Sequence, residues 1–139
     1  MEQDPEAIYQ NVITAVKNCL DDLTAKGLHP ENIAAIGISN QRETFVVWDK
    51  NGQPLHPAIV WQCKRSAAIC AELTHAGHAP MIEQKTGLKV DPYFSATKLI
   101  WLQQNNPAVA TAIQNGKAFF GTIDTWLLFR LSKGAAYAT

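Results

Sequence analysis

Ile8, Val12, Ile13, Val16, Cys19, Leu20 and Leu23 recur along the first part of the chain. That spacing, about 3.6 residues per turn, puts them on one face of an amphipathic helix. Asp4-Pro5 supplies an N-cap and a proline at the first helical position, and Gly27 supplies the stop. Residues 33–38, IAAIGI, lack polar alternation, which predicts a strand buried on both faces, as in a parallel sheet. Residues 44–49 are rich in β-branched and aromatic side chains and run into Asn51-Gly52, a tight-turn dipeptide. Residues 58–61, AIVW, predict a short third strand.

Between the first two apolar runs sits a polar block, Ser39-Asn40-Gln41-Arg42-Glu43-Thr44. Ligands of open α/β sheets bind where strands end. An Arg fork beside a carboxylate offers fixed donors and fixed acceptors, a combination suited to a small polyhydroxylated molecule. The second half of the chain reads as mostly helix. Ser66, Ala79-Pro80, Ser95, Asn106-Pro107 and Asp124 mark helix starts, and Gly87 and Gly116 mark ends. Asp91-Pro92-Tyr93 is a turn, and residues 118–120 are a brief extended piece. The order predicts an α/β fold with an incomplete sheet. The chain opens on a helix with no strand before it and ends at residues 136–139 with no capping element. Both features lead us to expect a piece of something larger.

Composition narrows the functional classes. At 47% hydrophobic and 17% charged, the 139 residues can bury a core and form one domain. Twelve basic residues balance twelve acidic ones, so nothing points to nucleic acid or to an anionic membrane surface. No apolar run approaches the roughly 20 residues that a membrane-spanning helix needs. The acidic, polar start MEQDPE is unlike a secretory signal, and a cytoplasmic location is expected. Cys19, Cys63 and Cys70 are odd in number and form no Cys-x-x-Cys, so reduced, buried thiols are expected. His29, His56, His75 and His78 lack ligand spacing, and no metal site is expected from them.

Four blocks, in order, carry a family resemblance. They are residues 33–48, IAAIGISNQRETFVVW; 58–65, AIVWQCKR; 86–98, TGLKVDPYFSATK, continued by Trp101; and 120–127, FGTIDTWL. Together they resemble the FGGY carbohydrate kinases, and within them the glycerol kinase branch, over nearly the whole chain. The resemblance implies a partial RNase H-like domain of the actin-like ATPase fold. Residues 1–139 would be part of the N-terminal, substrate-binding domain, without the second, nucleotide-binding domain. It implies a parent activity of ATP-dependent phosphorylation of glycerol to sn-glycerol 3-phosphate, with ATP and Mg²⁺ as cofactors and a homo-oligomeric parent. Neither cofactor is expected to bind well to this chain alone. The family's phosphate loop would lie upstream and its general base beyond Thr139, so no catalytic residue is assigned within the chain.

On the same basis Arg42, Glu43, Tyr93 and Trp61 are expected to bind substrate. Arg42 would donate a forked pair of hydrogen bonds and Glu43 would accept hydroxyl protons. Tyr93 would offer its phenol, and Trp61 its ring to the C–H face of glycerol. The bland alternatives are a surface ion pair for Arg42, a solvated loop carboxylate for Glu43, a half-buried packing role for Tyr93 and a core role for Trp61. Lys98 and Trp101 share a helical face and read as structural. Asp124 reads as an N-cap rather than a base, and Gly121-Thr122 lacks the spacing of a phosphate loop. Two alternatives stay open: a kinase of another small polyol or sugar, and a non-catalytic truncated fragment.

Overall fold

The computed structural model describes residues 1–137. Ala138 and Thr139, the end of the tail read as uncapped, lie outside the described residues. A two-residue strand, β1 (Glu2–Gln3), precedes the long helix α1 (Pro5–Ala25), so the chain does not open directly on a helix. Asp4 caps α1 as expected, its side chain accepting from the Glu6 N–H at 2.9 Å. A 3₁₀ turn (Pro30–Asn32) follows, then β2 (Phe45–Asp49), β3 (Ala58–Ile59), α2 (Ala67–His75), α3 (Ala79–Thr86), α4 (Ser95–Asn105), α5 (Pro107–Gln114), β4 (Ala118–Thr122) and α6 (Ile123–Leu131).

The strands form one sheet in the order β1-β3-β2-β4, with every pair antiparallel. The extended piece expected at residues 118–120 is a full partner of β2, in register from Phe45↔Thr122 to Asp49↔Ala118. The Asn51-Gly52 turn forms as read. Gly52 takes φ 76°, and the Asp49 carboxylate accepts from the N–H groups of Asn51 and Gln53, each at 2.8 Å.

The strand expected at residues 33–38 does not form. Residues 33–38 are neither paired nor buried, with Ile36 74% exposed and Ile33 and Ile38 above 40%. An apolar run becomes a buried strand only when a neighbouring strand satisfies its N–H and C=O groups. Among the described residues no strand lies beside it. The strand buried on both faces is instead β2. Val46 and Trp48 point to one side, and Phe45 and Val47 to the other, as the period of two requires.

Two clusters sandwich the sheet. On one side Val46, Trp48 and Ala58 pack against Ile123, Trp126, Leu127 and Phe129 of α6, with Ile8, Tyr9 and Val12 of α1 at the margin. On the other side Phe45, Val47 and Ile59 pack against Leu102 of α4 and Val109 of α5. Gly121 of β4 is required where α6 turns back over the sheet, since a Cβ there would lie 2.8 Å from the Thr125 side chain. Cys63 and Cys70 are buried and free, whereas Cys19 is free and exposed on α1, not buried. Beyond its first turns α1 keeps its apolar stripe partly in solvent, beside residues 33–36.

The N-terminal turn of α1 is tied to α6. Trp126 Nε1 donates to the Pro5 carbonyl at 3.2 Å. The Arg130 guanidinium pairs with Glu6 through both nitrogens and lies 4.1 Å from the Tyr9 ring centroid. The hydrogen bonds from Arg130, and a further one from Gln10, hold the Glu6 carboxyl below the usual carboxylate range. A carboxylate whose folded pKa is depressed stabilises the fold above its unfolded pKa, and that stability is lost as pH falls through the folded value. Thermal unfolding of the chain is therefore expected to show falling Tm between about pH 5 and pH 2. Glu6→Gln should flatten part of that fall while lowering the Tm at neutral pH. An acid limb of the same slope in both proteins would contradict this role for the pair.

Candidate substrate site

The polar block does not end a described strand; it leads into β2. Glu43 sits one residue before the buried Thr44 and takes φ 65°. A left-handed conformation at a residue with a Cβ costs about 1–2 kcal/mol, and such residues gather at functional sites. The turn is held by its side chain: Ser95 Oγ donates to Glu43 Oε2 at 3.0 Å. Ser95 is thus not the cap of α4. Phe94 occupies the N-cap position with no side-chain hydrogen bond, and Ser95 is the first helical residue, turned toward Glu43.

Tyr93 is aimed by the turn before α4. Asp91 Oδ1 accepts from the Tyr93 N–H at 2.8 Å, and the Asp91 carbonyl accepts from the Phe94 N–H at 3.1 Å. This is the Asx turn that Asp91-Pro92 favours. Tyr93 is 36% exposed, and its ring meets the Trp61 ring edge-on, with centroids 5.9 Å apart. Trp61 lies two residues beyond β3 rather than in it, and at 38% exposure it is not a core residue. Its backbone N–H donates to Thr44 Oγ1 at 3.4 Å, which fixes the Trp61 loop to the residue after Glu43. Tyr93 also lines a surface groove of about 520 Å³ with Gly87, Leu88, Lys89, Asp91 and Phe94.

The fold therefore gathers Glu43, Tyr93 and Trp61 around the N-terminus of α4. Arg42 is exposed and makes no ion pair among the described residues, so Glu43 is held by Ser95 and not by its neighbour. An unpaired guanidinium beside a fixed carboxylate leaves its fork of donors open to a ligand. Below this cluster lies Lys98, fully buried, with its ammonium donating to the Tyr93 carbonyl. Ser95 and Lys98 were missed as site residues. Their signals were a place in the 86–98 block and on the same helix, close behind Tyr93.

Asp124 is not the N-cap of α6, which falls at Thr122. Burial pushes its carboxyl up, but hydrogen bonds from Thr122, from Asn40 and from backbone N–H groups outweigh this and keep it below the usual carboxylate range. Among the described residues no three His, Cys, Asp or Glu side chains gather as a metal site would require. Among them, too, no helix is long and apolar enough to cross a membrane.

Comparison with known proteins agrees with this architecture. A glycerol kinase from Symbiobacterium thermophilum is 49% identical over 140 residues, covering 100% of this chain and 28% of that protein. A Plasmodium falciparum glycerol kinase structure with ADP superposes with a TM-score of 0.90 at 40% identity, over 96% of this chain and 26% of that one. A gluconate kinase from Lactobacillus acidophilus gives a TM-score of 0.73 at 28% identity, over 93% of this chain and 24% of that one. The chain thus spans about a quarter of the length of these relatives. Residues 1–139 match the N-terminal domain of the FGGY family of carbohydrate kinases, and the chain belongs to that family.

Proposed function

We propose that this chain forms the substrate-gripping part of an ATP-dependent glycerol kinase, which makes sn-glycerol 3-phosphate. The observation that carries the reading is the Glu43 carboxylate, held by Ser95 in a left-handed turn beside the exposed Trp61–Tyr93 pair. Arg42 donates to neighbouring hydroxyls of the triol, and Glu43 accepts their protons. Tyr93 adds a phenol, and the Trp61 ring covers the carbon backbone. Held by two hydroxyls, glycerol presents its third to the phosphate donor. Phosphoryl transfer involves little covalent work by the protein, so this orientation is a large part of catalysis.

ATP would supply the phosphoryl group and Mg²⁺ would neutralise its charge. The described residues do not fit either one. They gather no three metal-ligating side chains, and Gly121-Thr122 lacks phosphate-loop spacing. We assign that chemistry, and the general base, to parts of the kinase other than these 139 residues. The isolated chain is therefore expected to turn over no ATP.

Initial rates of the full-length kinase with glycerol, erythritol and ribulose test the substrate. Glycerol should give the highest kcat/KM, because the contacts span only a small triol. A pentulose preferred over glycerol would replace this reading with that of a sugar kinase.

A further inference from the structure

Lys98 has no role in the site as described, yet its place in the fold is costly. It is fully buried, and an ammonium removed from water loses its hydration. It stands in the first turns of α4, where the helix dipole disfavours a cation. A methionine of similar volume would fill the space without either cost. What Lys98 touches is informative. Its ammonium donates to the Tyr93 carbonyl and lies 5.9 Å from the Tyr93 ring centroid. The same helix carries Ser95, which donates to Glu43.

We propose that Lys98 is a positioning residue for the polyol. Resting on the proposed glycerol site, it acts from below through two of that site's groups. It pins the backbone of Tyr93, which aims the phenol. It also sits one turn along α4 from Ser95, whose hydroxyl holds the Glu43 carboxylate. Burial pushes the Lys98 ammonium below its usual range; the opposing attraction comes first from Glu43, then from Cys63, Asp91 and Cys70. The negative group that most favours its charge is thus the proposed substrate ligand.

The test is steady-state kinetics of the full-length kinase carrying Lys98→Met, with Lys98→Gln as the second variant. Lys98→Gln keeps a donor for the Tyr93 carbonyl without the charge. Lys98→Met should raise the KM for glycerol about tenfold or more, the loss of about one charge-assisted contact. The KM for ATP should not move, and Lys98→Gln should give a smaller rise. In a Glu43→Gln background the effect of Lys98→Met should shrink, because the two act as one unit. Lowered Tm with the glycerol KM unchanged in both variants would overturn the proposal and leave Lys98 a structural residue. Arg42→Ala and Tyr93→Phe serve as the control. If they raise the glycerol KM while the Lys98 variants do not, only this inference fails. If they too leave it unchanged, the glycerol site fails, and this inference falls with it.

Discussion

Glu43→Gln in the full-length kinase is expected to lower kcat/KM for glycerol about 100-fold, with the KM for ATP unchanged. The carboxylate offers acceptors only, while an amide turns one of them into a donor. Hydrogen bonds to a charged group contribute about 1.5–3 kcal/mol each, and about 1.4 kcal/mol is a factor of ten. Glu43 also anchors its own left-handed turn through Ser95. Gln can keep that anchor with its carbonyl oxygen, so the fold should survive and the loss should report on substrate. Arg42→Ala should give a loss of similar size without any loss of stability, since Arg42 is exposed and makes no ion pair among the described residues. Wild-type kcat/KM in Glu43→Gln would contradict the assignment.

Trp48→Ala is expected to destabilise the chain by about 3–5 kcal/mol. Trp48 is fully buried in β2. Its ring lies 5.4 Å from Trp126, 5.5 Å from Phe129, 6.1 Å from Tyr137 and 6.4 Å from Phe119. Truncation would leave a cavity that the sheet and α6 cannot close together. Tm should fall by about 10 °C or more for a chain of this size. Trp48→Phe separates packing from hydrogen bonding. The Trp48 indole N–H has no acceptor among the described residues, so Phe loses volume but no bond and should cost much less. Equal losses for Ala and Phe, followed by circular dichroism on heating, would contradict a packing role.

What was legible in the sequence was what neighbouring residues decide. The stripe from Ile8 to Leu23 and the Asp4-Pro5 start are local signals, and α1 begins and ends where they place it. The turn at Asn51-Gly52 and the Asx turn at Asp91 are equally local. Residues 33–38 show the limit. Their apolar run states a preference for cover on both faces, but cover depends on a neighbouring strand, which a local pattern cannot supply. β1 escaped notice because two residues carry no periodicity.

The site divides in the same way. Arg42, Glu43, Tyr93 and Trp61 were singled out mainly by the family resemblance, with Arg42-Glu43 at the end of an expected strand and Tyr93 in a turn. Ser95 looked like a helix cap because most serines at such a position are caps, yet its hydroxyl reaches across 52 residues to Glu43. Lys98 looked structural because nothing near it in sequence demanded a charge. Its burial, with the ammonium donating to the Tyr93 carbonyl, is what places it behind Tyr93.

A crystal structure of the full-length kinase with glycerol tests the central claim most directly. The account predicts glycerol oxygens within hydrogen-bonding distance of Arg42, Glu43 and the Tyr93 hydroxyl, with the carbon chain against Trp61. Glycerol bound elsewhere, with Glu43 still bonded only to Ser95 and Arg42 in solvent, would contradict it.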